Sequence, residues 1–216
     1  MTQKLIILGT AGNCLEIADA VRAVATTGGE YELAGFLDDS PAMQGTQVMG
    51  APVLGTLFDA PTFTDCVFVN GIGSTANFAR KQQIIETTQL PIDKFVTVIH
   101  PKADVASTAR LGLGTVVLAN STIGANAQLD SHVLVLAGST IGHDCRIGAN
   151  AIIASGVVLC GNVIVNANSY VGAGACVRGG VTIHSESLVG LGSVVIDDVA
   201  PQTVVCGNPA RVLRQR

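Results

Sequence analysis

The chain has 216 residues, enough for one or two domains, and its formal net charge of −4 without any basic run argues against a nucleic-acid partner. Hydrophobic residues make up 48% and charged residues only 13%, with a mean hydropathy of +0.49. No stretch reaches the ~18 consecutive apolar residues of a spanning helix, so no membrane insertion is expected. The six cysteines (Cys14, Cys66, Cys145, Cys160, Cys176, Cys206) form no CxxC pair and no metal-like spacing with the four histidines. Reduced structural thiols, no metal and a cytoplasmic location follow as expectations.

Lys4–Leu8 is a short apolar run and reads as a strand. The chain opens directly on it, which predicts no leader peptide. Gly9-Thr-Ala-Gly12-Asn13 follows, and then Leu15, Ile17, Ala18, Val21 and Val24 recur at helical spacing. Amides between a strand and a helix N-terminus form a cradle for an anion, although a lone GxxG is not the GxGxxG dinucleotide fingerprint. Tyr31–Leu37 and Cys66–Val69 read as further buried strands, and Ala76–Ile85 as a second helix. Asp38 and Asp39 close the first of these strands, where a carboxylate is placed to accept hydrogen bonds from a ribose or base. Asn70-Gly-Ile-Gly73-Ser74 ends the next; three ordinary strand-end turns are the alternative. Phe95–Ile99, punctuated by His100-Pro101, leads out of this α/β part.

From Val105 to Ala200 run sixteen hexapeptides, each beginning with Val, Leu or Ile and each carrying Ala, Ser, Thr, Cys or Val at its fifth position. A period of six fits neither a helix nor an isolated alternating strand. It fits a β-helix with a triangular section: one aliphatic residue points in from each flat side, and a small residue sits at each corner. Gly112, Gly124, Gly142, Gly148, Gly172 and Gly190 fill second positions, as expected where the backbone bends with φ above zero. Burial in such a solenoid is one-dimensional, each coil resting on the next, which accounts for the apolar composition. The expected partition is 1–104 α/β, 105–200 β-helix and 201–216 tail.

His143, in Ile141-Gly-His-Asp-Cys-Arg-Ile147, occupies a third position where other repeats mostly carry Ala, Ser or Gly. It should project from a corner, and a neutral imidazole is the natural base for an attacking amine or hydroxyl; a surface loop histidine is the bland alternative. One coil further on lies Gly161, stacked on the same corner, where the missing side chain lets a thioester approach the backbone; an ordinary corner glycine is again the alternative. Of the other histidines, His100 reads as a hinge element, and His132 and His184 as exposed or capping residues.

The repeat and what precedes it resemble, over nearly the whole chain, the bacterial sugar acetyltransferases with a left-handed β-helix. These include sialic-acid O-acetyltransferases and the bacillosamine- and perosamine-type nucleotide-sugar N-acetyltransferases. The resemblance implies a Rossmann-like α/β domain followed by a left-handed parallel β-helix, a homotrimer, and acetyl-CoA as donor. It makes His143 the base, Asp144 the carboxylate that raises its basicity, and the Gly161 N–H the oxyanion donor. Gly179 continues that edge, and Ala173 and Leu191 match positions bordering the pantetheine arm. Asn208, in Cys206-Gly-Asn-Pro-Ala-Arg211, falls in the closing motif near the adenine. Ala11, Gly12 and Asn13 would lie near phosphate or sugar, Asp38 and Asp39 near the nucleoside, and Gly73 along the base.

Two positions depart from the family pattern, which usually has histidine where this chain has Asn13 and Ile152; the second becomes an apolar wall at the acetyl-CoA end. The expected activity is N-acetylation of a nucleotide-linked amino sugar in surface glycan biosynthesis. The alternative is O-acetylation of a sialic-acid-like hydroxyl, and a nucleotide-sugar sensor on an inactive β-helix is a third, non-enzymatic reading.

Overall fold

The computed structural model describes residues 2–216. Strands β1 (Gln3–Leu8), β2 (Tyr31–Leu37), β3 (Gln47–Val48), β4 (Ala51–Gly55) and β5 (Cys66–Asn70) form one sheet in the order β3-β4-β2-β1-β5, parallel except for the β3–β4 hairpin. Leu5–Leu8 of the inner strand β1 are fully buried, as a parallel strand covered on both faces should be. Helix α1 (Gly12–Thr26) buries Ile17, Ala18 and Val21. The second helix is shorter than its sequence pattern suggests: Phe78–Arg80 is a 3₁₀ turn and α2 covers only Lys81–Glu86. The cause lies upstream, where Asn77 Oδ1 accepts hydrogen bonds from Ser74 N–H (2.7 Å) and Ser74 Oγ (3.0 Å), locking a turn that competes with helix.

Strand β6 (Val98–Ile99) pairs with Val116–Val117 and so already belongs to the solenoid. Two-residue rungs β7–β22 follow, from Asp104–Val105 to Val194–Val195. Each pairs in parallel with the rung one coil later, as Ile123 does with Ile141 and Ile141 with Leu159. The first face of the prism stacks the rungs ending in Val105, Ile123, Ile141, Leu159, Val177 and Val195, and the second those ending in Leu111, Leu129, Ile147, Val165 and Ile183. The third begins at β6 and ends on the hairpin of β23 (Thr203–Gly207) and β24 (Ala210–Gln215). The fold is an α/β Rossmann-like domain followed by a left-handed parallel β-helix. First-position residues such as Ile141, Ile153 and Leu159, with fifth-position Ala127, Cys145 and Ala151, make one continuous prism core; each fully buried aliphatic contributes about 1.5–3 kcal/mol.

The second-position glycines do not supply the φ above zero that the repeat suggests. Every fourth position from Gly114 to Gly192 does, including Asn120, Asn126, His132, Asp144, Asn150 and Asn162. Asn and Asp are the non-glycine residues that tolerate this region best. Second-position glycines instead let coils touch: a Cβ on Gly142 would lie 2.7 Å from the backbone N of Gly161.

The outward residues of the third face, Val116, Leu134, Ile152, Tyr170 and Leu188, form an apolar column packed into one cluster with Ile17, Val21, Phe36 and Val98. That column docks the α/β domain. At its edge Lys81 is fully buried and its Nζ donates to the carbonyl of His132. His132, read from sequence as exposed or capping, is 6% exposed, edge-on to the Phe95 ring at 4.6 Å. Burial, and then the neighbouring Lys81, push its imidazole down to about 4.

Burial lowers the Lys81 ammonium from 10.5 to about 7. Between those two values the unfolded chain holds the proton that the folded chain has released, so this group makes stability rise with pH across the window and flat below it. Lys81→Met keeps the apolar stem and removes the titration. The expected result, read by urea denaturation between about pH 7 and pH 10, is that the wild type gains stability relative to the variant as pH rises. A constant difference across that range would overturn the assignment.

Candidate active site

Two groups of candidate residues come together, on different sides of the molecule. The first is a cleft of about 580 Å³ at the C-terminal ends of β1, β2 and β5, where ligands settle in open parallel sheets. Ala11, Gly12, Asn13, Asp38, Asp39 and Gly73 all line it. Ala11 caps α1, so the helix N-terminus opens into the cleft. Gly9, at φ +94, has no room for a side chain: a Cβ would meet Ile72 Cγ1 at 2.6 Å and Cys14 Sγ at 2.9 Å. The Cys14 thiol is pushed up to about 12 by burial and then by Asp38, which leaves it a neutral packing group.

The polar side chains of the cleft are already organised. Thr10 Oγ1 donates to Asp38 Oδ2 at 2.6 Å, while Ser40 N–H donates to Oδ1 at 2.8 Å. Asp39 Oδ1 accepts the Leu57 N–H at 2.9 Å. Asn13, at one of the two departures from the family pattern, donates through Nδ2 to the Gly73 carbonyl at 2.7 Å and ties the first loop to the third. Ile152, at the other departure, is not at the His143 corner. It has no exposed surface and packs beneath Gly73, whose Cβ would lie 2.4 Å from Ile152 Cδ1. Thr10, Asn77 and Tyr170 also line the cleft and are not singled out as site residues in the sequence reading. Tyr170 was discoverable: an aromatic in an otherwise aliphatic outward column marks where the covered face meets an opening.

The second group stands on the corner between the first and second prism faces, across the prism from the third face. The left-handed conformation of Asp144 (φ 57) turns its carboxylate back to His143, whose Nδ1 lies 2.8 Å from Asp144 Oδ2. An ionised carboxylate only accepts, so this contact assigns the proton to Nδ1 and leaves the Nε2 lone pair free. The hydrogen bond from His143, and then one from Asn126, hold the Asp144 carboxyl below the usual carboxylate range. The imidazole lies over Gly161 so closely that a Cβ there would be 2.3 Å from Nε2. Among the described residues the Gly161 N–H donates to no other group, which leaves a free donor on the residue that the imidazole covers. Gly179 continues the edge, with Gly180 N–H bound to the Gly161 carbonyl at 3.1 Å.

Ala173 and Leu191 occupy the other border of the first face, where Gly192 N–H donates to the Ala173 carbonyl at 2.8 Å and Leu191 is 82% exposed. Asn208 lies beside them, in the β23–β24 turn whose Gly207 N–H reaches Ser193 Oγ at 3.2 Å. These three are therefore separated from His143 by the width of one face. Among the described residues no group of His, Cys, Asp and Glu is arranged to hold a metal ion, and no helix is long and apolar enough to cross a membrane.

An imidazole laid over a glycine on the corner of a left-handed β-helix is accompanied by likeness to acyltransferases of the hexapeptide class. Residues 126–161 match the bacterial transferase hexapeptide repeats and residues 4–87 the PglD N-terminal domain. The acetyltransferase domain of PglB from Neisseria gonorrhoeae is 31% identical, with 98% of this chain and 100% of that one aligned at a TM-score of 0.85. Its complex with acetyl coenzyme A gives 30% identity and a TM-score of 0.86 over 99% of this chain and 100% of that one. A mutant of perosamine N-acetyltransferase from Caulobacter crescentus, with CoA and GDP-perosamine, gives 27% identity and a TM-score of 0.85 over 98% and 97% of the two chains. The search of curated proteins returned no match. The chain belongs to the bacterial sugar acetyltransferase family and is an acetyltransferase.

Proposed function

We propose that this enzyme transfers the acetyl group of acetyl-CoA to the amino group of a nucleotide-linked amino sugar bound in the α/β cleft. His143 Nε2 accepts the proton as the amine nitrogen adds to the thioester carbonyl. The Gly161 N–H donates to the carbonyl oxygen as negative charge develops there, the kind of interaction worth ~3 kcal/mol. The imidazolium then returns the proton to the departing CoA sulfur. The observation carrying this reading is the His143 imidazole, held by Asp144 through Nδ1 and laid over Gly161. The donor reading is supported by the acetyl coenzyme A complex of the gonococcal domain, and the amino-sugar acceptor by the GDP-perosamine complex. Measuring CoA release with UDP-, GDP- and CMP-linked amino sugars tests it; release with none of them, or only with hydroxyl acceptors, sinks it.

The active unit in this proposal is a homotrimer. The cleft opens beside Tyr170 of the third face, whereas His143 stands at the opposite corner, so an acceptor held in one chain meets the base of a neighbour. A closed ring of three prisms pairs unlike faces around one axis. In a mixing experiment, a His143→Ala chain and a cleft-defective Asp38→Ala chain, each inactive alone, should recover part of the activity. No recovery, or an active monomer of 22.0 kDa by light scattering, overturns the shared site.

A further inference from the structure

Asp144 is a half-exposed carboxylate, and an exposed ion pair alone does little to fix a geometry. Its Oδ2 meets His143, so the orientation of the pair depends on what holds Oδ1. Among the described residues one side chain donates to that atom: Asn126, one coil earlier on the same corner, with Nδ2 at 3.1 Å. Asn126 is itself anchored, its backbone N–H donating to Thr108 Oγ1 at 2.9 Å one further coil down. The ladder Thr108, Asn126, Asp144, His143, Gly161 thus climbs one corner over four successive coils.

The residue type is informative. Both Asn126 (φ 59) and Asp144 (φ 57) are left-handed, a conformation that glycine, asparagine and aspartate adopt most readily, although His132 and Glu186 hold it at the same position of other repeats. Glycine would satisfy the backbone and offer no donor; aspartate would offer only acceptors, against a carboxylate. Of these three, asparagine alone combines the backbone with an N–H that reaches Oδ1. Elsewhere the same position is filled without such a demand, and the side-chain oxygens of Asn150 and Asn168 are buried with no partner at all.

We infer that Asn126 is a positioning residue of the acyl-transfer centre: by holding Asp144 Oδ1 it turns Oδ2 to His143 Nδ1 and thereby keeps the Nε2 lone pair on the reacting side. This rests on the reading of His143 as the base. The test uses Asn126→Gly, which preserves the left-handed backbone and deletes the donor, in the full-length enzyme. At saturating substrates kcat should fall about tenfold, the loss of one charge-assisted hydrogen bond, with both KM values unchanged. Nitrogen-15 NMR of His143 in the substrate-free protein should show the proton spreading from Nδ1 to Nε2. Added to Asp144→Asn, the substitution should cost almost nothing more, because both act through one carboxylate. Asn126→Asp should be no better than glycine. An unchanged tautomer, or effects of Asn126→Gly and Asp144→Asn that multiply, overturns the inference. Failure of the base reading shows itself separately, as a His143→Ala enzyme with full turnover, and leaves the NMR result standing on its own.

Discussion

His143→Ala should lower kcat by about 10²–10⁴-fold while acetyl-CoA binding stays nearly unchanged, because a positioned general base contributes in that range. The imidazole is exposed and carries no core packing, so the fold should tolerate its loss and thermal unfolding should not move. The Asp144 carboxyl is held below its usual range by its hydrogen bonds from His143 and Asn126, so the group facing Nδ1 only accepts. Asp144→Asn should lower kcat more mildly than His143→Ala, since an amide can also donate and no longer selects one tautomer. A His143→Ala enzyme with wild-type turnover removes His143 from the mechanism.

Much of this was legible because a six-residue repeat converts sequence distance into position. Knowing the period places Gly161 on His143 one coil later, and the structure brings their atoms into contact. The same arithmetic, applied to the outward positions, distinguishes the faces: Val116, Leu134, Ile152 and Leu188 on the third, Thr122 and Thr140 on the first, Arg110, Gln128 and Arg146 on the second. The apolar column announces a covered face, and it explains why Ile152 lies in a core and not at the His143 corner. What the sequence hid was conformation. Glycine at second positions looked like a turn signal, but there it relieves contact between stacked backbones, while left-handed residues sit two places later. Without that, neither the reach of Asp144 back to His143 nor the grip of Asn126 on Asp144 follows. Lys81 was equally hidden, because a lysine at the start of a short amphipathic helix reads as solvated until a second domain covers it.

Gly161→Ala should be nearly as damaging to turnover as losing the base, and almost silent in stability. The new methyl would fall 2.3 Å from His143 Nε2 and 2.5 Å from Cε1. Both atoms belong to the far end of an exposed side chain, which swings away at little cost. Gly161 is also outside the left-handed region, so alanine adds no backbone strain. The imidazole leaves the reacting space, and the methyl stands where the thioester must approach the amide. Misplacing the base and hindering the oxyanion donor together predict a fall in kcat of at least about 10²–10³-fold. Gly142→Ala is the control on the same corner: its Cβ would meet Cys160 C and Gly161 N at 2.7 Å, backbone atoms that cannot yield, so it should lower Tm as well as activity. The two causes separate in a His143→Ala background, where no imidazole is left to displace. Adding Gly161→Ala there should cost much less than in the wild type, the remainder being the hindrance to the thioester alone. Wild-type turnover in Gly161→Ala, or a loss of activity that tracks its Tm, would show that the imidazole and the Gly161 amide do not share one reacting space.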